Sequence, residues 1–216
     1  SLGEVFTGRN LSYFRGDAAL LEQETRESAT DDVAAAIGRQ IGAAMAEKVD
    51  TDLAANFANF SNAINKAGAA VTVEDIFKAA ATLRANKANQ NGAFVAVLHP
   101  YQTYDLKAQL TNNGATMSHA LSDVGNAALL DGFVGRIAGV DIFESTVISG
   151  DSAGAFAGAV MTQDALGYMV KRSMRIETEC NASKRSLEIV GSMAYGTAEL
   201  FDQYGVTILS DSTALV

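Results

Sequence analysis

Between Ala165 and Gly196 the chain carries two long runs in which charged and apolar side chains alternate, separated only by a short polar turn. In the first run Met174, Ile176, Thr178 and Cys180 alternate with Arg175, Glu177 and Glu179, a period of two that a strand sorts onto opposite faces and a helix scrambles. Asn181-Ala-Ser183 is a turn signal, and Leu187 and Ile189 lie on the returning strand. A hairpin of this length constrains the chain more than any other segment, because everything else must cover or flank it. The alternation predicts a half-buried strand with Cys180 facing inward as a small apolar filler. The β-rich character extends from Gly132 to Ile208, through an expected strand over 137–148, and Gly205–Leu209 reads as a last strand.

The first half is helical. Val33, Ile37, Ile41, Met45, Val49, Leu53 and Phe57 recur every four residues behind a start near Thr30, with Asp31 and Asp32 in the first turn. Each step of four advances about 40° past a full turn, so the stripe winds around the rod. Such a helix must be covered on different sides at its two ends or bend between them, as a spine lying under a sheet does. Gly68 ends this unit. Thr72-Val-Glu-Asp75 predicts a capped second helix carrying Ile76, Phe77, Ala80 and Leu83. Phe94–Leu98 is a wholly apolar strand expected to be buried on both faces, stopped by His99-Pro100 and followed by a helix over 101–110. Asn112–Leu130 reads as a loop, and residues 1–30 as an extended excursion.

Chemistry is sparse. With 16 basic and 25 acidic residues the formal charge is −9, which argues against a dedicated nucleic-acid binder, since such proteins draw affinity from Lys and Arg releasing phosphate counterions. No apolar run is long enough to span a membrane. The chain opens with Ser1-Leu-Gly-Glu and its first Met is Met45, so no signal peptide is expected and the sequence reads as a fragment or a processed product. One cysteine excludes an internal disulfide framework.

Gly150-Asp-Ser-Ala-Gly154 matches the G-x-S-x-G elbow of serine hydrolases and makes Ser152 a candidate nucleophile. The hydrolase order needs a histidine after the serine, and both His99 and His119 precede it. The order His, Asp, Ser could use Asp131, but it belongs to an all-β double barrel that the helical half contradicts. Chance alone supplies this motif in about one of nine chains of such composition, so a flexible small-residue loop is the preferred reading. His99 reads as a strand-end cap and His119 as solvated; two histidines so placed make no metal set. Asp50 and Asp52 point about 200° apart on a helix and cannot share a cation. Glu177 and Glu179 share a strand face with Arg175, and with Arg172, Lys184 and Arg185 nearby a mixed charge ladder is favoured over acid–base work. No phosphate-binding glycine loop occurs. No catalytic, cofactor or metal residue is expected.

The order of segments resembles the tailed-phage major capsid protein family, with the Hong Kong 97-like fold. The resemblance rests on Asp32–Leu53, Phe94-Val-Ala-Val-Leu-His-Pro-Tyr101, Gly135-Arg-Ile-Ala-Gly-Val-Asp-Ile-Phe-Glu-Ser145 and Ile176–Leu209. It implies an α+β fold with a spine helix, a long β-hairpin, an extended E-loop and an α/β axial domain. Residues 1–30 would be E-loop or remnant of an N-terminal extended region, 31–68 and 168–197 the P-domain, and 69–167 and 198–216 the A-domain. The implied work is self-assembly of pentamers and hexamers into an icosahedral virion shell around double-stranded DNA, in the host cytoplasm, with portal, scaffold and decoration proteins as partners. Arg172, Arg175, Glu177, Glu179, Lys184 and Arg185 would supply charge pairs between subunits or within the sheet. Two rivals stand beside this: an encapsulin-like compartment shell, and a serine hydrolase using Ser152.

Overall fold

The structure is a computed structural model of the 216-residue chain and describes residues 11–15, 19–22, 33–66, 68–88, 93–114, 135–150, 154–183 and 185–212. Its elements in chain order are β1 (Leu11–Arg15), β2 (Ala19–Glu22), α1 (Val33–Ala54), β3 (Ala63–Lys66), α2 (Val73–Ala85), β4 (Phe94–Leu98) and α3 (Pro100–Gly114). There follow β5 (Arg136–Ile137), β6 (Val140–Glu144), β7 (Ala155–Met161), β8 (Leu166–Asn181), β9 (Ser186–Glu199) and β10 (Gly205–Asp211). They sort into two compact units, Ser1–Leu53 with Tyr168–Ala198, and Ala54–Gly167 with Glu199–Val216.

In the first unit β9 is the strand that the others share. β8 pairs with it as a hairpin, and β1 and β2 lie antiparallel to successive stretches of it, Leu11 opposite Gly196 and Ala19 opposite Ile189. Of the excursion expected over residues 1–30, these two stretches are strands and the rest lies outside the described residues. Helix α1 covers β9 through Ile41, Met45 and Val49, which meet Met193 and Tyr195. The two elements approach so closely that a Cβ at Gly191 would stand 2.6 Å from Ile41 Cγ2 and 2.9 Å from Met45 Sδ. The winding stripe has the consequence its geometry requires. Among the stripe residues of α1 whose burial is described, only Met45 is fully buried, and α1 ends at Ala54 before the stripe completes. A 3-10 turn over Ala55–Asn59 then carries Phe57 into the other unit's core. The expected helix start at Thr30 to Asp32 falls outside the described residues.

The second unit is a six-stranded sheet in the order β3-β10-β7-β4-β6-β5, with β3 parallel to β10 and β4 parallel to β6. Residues 55–66, expected beside the spine helix, belong here, because β3 pairs in register with β10 from Ala63 opposite Thr207 to Lys66 opposite Ser210. The main core gathers Ile76, Ala79, Ala80 and Leu83 of α2, Leu106 of α3 and the strand residues Phe94, Ala96, Leu98, Val140, Val160 and Ile208. Phe77, expected with the apolar face of α2, is exposed.

Helix α2 starts at the expected box: the Thr72 backbone N–H donates to Asp75 Oδ2 at 2.8 Å and its hydroxyl donates to the same oxygen at 2.6 Å. Burial alone would push the Asp75 carboxyl up, but Lys66, at 2.8 Å, and the Thr72 donors outweigh it and hold the group below its ordinary value. β4 is central, yet only Phe94, Ala96 and Leu98 are fully buried; Val95 and Val97 are half-buried, because the second face has a smaller cluster built around Phe57, Phe60, Ile148 and Phe156. The strand region expected over 137–148 holds a tight hairpin, β5 paired antiparallel with β6. Ala138 and Gly139 both take positive φ, 57° and 83°, which reverses the chain between β5 and β6, and Arg84 Nη2 donates to Ala138 O at 2.7 Å.

One interior residue that no sequence pattern flagged ties three elements together. Gln102 is wholly buried on α3; its amide nitrogen donates to Phe156 O at 2.9 Å and to Ser210 Oγ at 2.8 Å, and its oxygen accepts the His99 N–H at 3.1 Å. The close packing beneath it requires Gly158, where a Cβ would stand 2.6 Å from Leu98 Cδ2 and 3.0 Å from Val97 O. Gly158→Ala is expected to destabilise the fold by about 1–3 kcal/mol through overpacking. Ala138→Gly is expected to stabilise it by about 1 kcal/mol by relieving the left-handed backbone. Urea unfolding followed by circular dichroism should move the midpoint in opposite directions for the two.

Candidate assembly surface

β8 and β9 are neighbours in one sheet with opposite fates. From Ile189 to Ala198 β9 is mostly buried, whereas every β8 residue from Tyr168 to Cys180 is exposed. The expected half-burial of Met174, Ile176, Thr178 and Cys180 is therefore not observed. Met174 is 51% and Ile176 42% exposed, and Cys180 is an exposed free thiol rather than an inward filler. The reason is length and reach. A 16-residue strand extends about 53 Å at 3.3 Å per residue, while a 22-residue helix is about 33 Å long, and α1 spends its apolar stripe on β9.

The period-two sorting itself is present. A Cβ at Gly42 of α1 would stand 4.0 Å from Met174 Cε, and the Tyr168 and Tyr195 rings lie 6.1 Å apart, so the even-numbered side chains take the helix side. Tyr168, Val170, Met174 and Ile176 are exposed there, in a row that Arg172 interrupts between Val170 and Met174. The odd-numbered residues Lys171, Arg175, Glu177 and Glu179 make the other face mostly charged, with the exposed Met169 and Ser173 among them.

Arg175 Nε meets Glu177 Oε1 at 2.9 Å, both side chains being more than half exposed, which limits the pair to about 0–1 kcal/mol. Arg172 and Glu179 are exposed along the same strand, and Arg185 sits in the turn with φ of 46°. Lys184 lies outside the described residues. Of the six expected charges, the structure thus joins Arg175 to Glu177. The exposed apolar row went unread because alternation fixes which residues share a face and carries no signal of whether anything covers it.

Beneath the sheet, the Tyr195 hydroxyl donates to Asp52 Oδ2 at 2.6 Å, and Lys48 Nζ meets the other oxygen at 2.5 Å. Burial, and then Asp52, push the Tyr195 hydroxyl well above the ordinary phenol value, so it is a fixed donor. Asp52 is a structural acceptor here.

Of the candidate catalytic residues, only His99 is among the described residues. Ser152, His119 and Asp131 lie outside the described residues. His99 caps α3: its Nδ1 accepts the Tyr101 N–H at 3.2 Å, and its ring stacks on Phe156 at 4.0 Å. Burial holds its basicity below the ordinary 6.5, which suits a ring nitrogen that must stay unprotonated to accept. Among the described residues no group of three or more His, Cys, Asp or Glu could hold a metal ion, and no helix is long and apolar enough to cross a membrane.

Two measurements follow from these placements. Because the folded His99 is the weaker base, the unfolded chain takes up the proton first. Stability is then full above about pH 6.5 and falls as the pH drops below that value, levelling off once the folded value is passed. His99→Asn, which keeps a capping acceptor, should flatten that slope while lowering the baseline. Cys180 should react with a disulfide reagent in the native subunit about as fast as in denaturant; slow native labelling would contradict its exposure.

Residues 15–209 match a family model described as phage capsid protein. No curated protein sequence matches the chain. Among solved structures, the fold is similar to a Mycobacterium phage Che8 chain, with a TM-score of 0.73 at 19% identity over 92% of this chain and 70% of that one. It is also similar to the capsid of cyanophage P-SCSP1u, at 0.72 and 18% over 94% and 73%. The SrpI encapsulin of Synechococcus elongatus matches at 0.69 and 15% over 94% and 74%.

Proposed function

The chain belongs to the phage capsid protein family and is a major capsid protein of the Hong Kong 97-like fold; we propose that it tiles the icosahedral shell of a tailed phage around double-stranded DNA. The observation that carries this reading is β8, a 16-residue strand whose apolar side chains the described chain leaves uncovered, in a protein whose family builds shells. Monomeric proteins rarely leave such rows to water. A shell subunit has neighbours to cover them.

In this reading α1 with the β8–β9 hairpin is the body of the P-domain, the six-stranded unit with α2 and α3 is the A-domain, and residues 1–30 belong to the E-loop. Pentamers and hexamers assemble in the host cytoplasm, with portal, scaffold and decoration proteins as further partners. Contacts along the hairpin can each be weak and still yield a durable shell, because every subunit makes many at once. A net charge of −9 suits a wall that contains packed DNA without adhering to it. The protein acts by position rather than by catalysis.

The likeness to the SrpI encapsulin supports a second reading, a compartment enclosing protein, whereas the family match favours the phage. Electron microscopy of particles, with nuclease digestion before and after disruption, separates them. Closed particles with nuclease-protected DNA are expected; protected protein cargo without DNA would move the chain to the second reading, and dispersed monomers would sink both. Arg175→Glu should lower particle yield several-fold while leaving the subunit's unfolding midpoint within about 0.5 kcal/mol of the parent. Equal yields would remove Arg175 from assembly.

A further inference from the structure

Among the described residues β8 hydrogen-bonds to β9 alone, so its second edge has no strand beside it. An unpaired edge of this length is a template for another strand. We infer that this edge is taken by β8 of a second copy, antiparallel about a two-fold axis centred on Ile176. The inference rests on the shell reading and names the contact through which one face of each subunit meets its neighbour.

The charge order along the strand carries the argument. Lys171, Arg172 and Arg175 occupy its first part, and Glu177 and Glu179 its last, so the strand is positive toward one end and negative toward the other. An antiparallel copy therefore sets opposite signs against each other, and a parallel copy sets like against like. A two-fold axis perpendicular to the sheet also keeps each face on its own side, so directly opposed residues must be both odd or both even.

Few registers remain. Centring on Ile176 puts Arg175 directly opposite Glu177 of the second copy, and Glu177 opposite its Arg175, with Glu179 diagonal to both Lys171 and Arg175 across the seam. Centring on Arg175 or Glu177 opposes two identical charges. Centring on Met174 pairs Lys171 with Glu177 but sets Arg175 diagonal to Lys171 and to its own copy. In the favoured register the even face brings Ile176 onto Ile176 and Met174 onto Thr178, extending the apolar row across the seam. The contact is isologous, the kind that two-folds in a closed shell demand.

Directly opposed residues across antiparallel strands lie within disulfide reach. In a Cys180→Ser background, Ile176→Cys should therefore shift most of the subunit band in assembled particles from monomer to dimer under mild oxidation, and reductant should reverse it. Val170→Cys, opposed to Ala182, should not form that dimer. Where Ile176→Cys prevents assembly, Met174→Cys with Thr178→Cys tests the same register, since those two positions oppose each other across the seam and are too far apart within one strand. Particles that form normally yet give no dimer at 176 or at 174/178, or equal dimer at 170, overturn the pairing and leave the shell reading intact. If the wild-type chain forms no particles, the shell reading falls and the pairing falls with it.

Discussion

A helix rises 1.5 Å per residue and a strand more than twice that, so α1 with 22 residues is about 33 Å long and β8 with 16 is about 53 Å. That mismatch governs the first unit. A helix of this length can cover one strand of a long hairpin and not the whole of it, and α1 covers β9. Gly191 lets Ile41 and Met45 approach the backbone, and Tyr195 anchors to Asp52. Removing the helix from β9 would strand a buried tyrosine hydroxyl and open the Met45–Met193 contact together. Among the described residues β8 is left as the uncovered partner, and the proposed assembly contact is placed there.

The second unit solves its packing internally. Its sheet has core on one face from α2 and α3, and on the other from the cluster around Phe57, Phe60 and Phe156. Much of its polar interior is tied down by Gln102, whose donors and acceptor are all engaged, and by the Thr72–Asp75–Lys66 group at the start of α2. These are connections of stability. The second unit is self-sufficient in its packing, whereas among the described residues the first keeps an open strand edge, the one the proposed assembly contact would use.

Much of this was legible along the chain. The box at Thr72–Asp75, the strand Phe94–Leu98, the stop at His99-Pro100 and the hairpin after Asn181 are local signals, and local hydrogen bonding and periodicity set them. The winding of the Val33–Phe57 stripe foretold that one straight helix could not bury it, and α1 does end at Ala54. The break at Ala138-Gly139 was hidden because alanine seldom takes positive φ, so nothing in its identity marks a turn. Gln102 was hidden because its partners lie far along the sequence, at Phe156 and Ser210.

The sequence by itself determined which elements form and which side chains share a face, because both follow from backbone periods of 3.6 and 2 that operate within a few residues. It placed Arg175 and Glu177 on one row and Met174 and Ile176 on the other. Burial was decided only in three dimensions. Cys180 and Ile176 have the pattern of core residues and are exposed, since whether a face is covered depends on the length and position of elements distant in the chain. Over Met174–Cys180 the alternation is intact while no described residue covers the apolar face, and tertiary structure alone could reveal that.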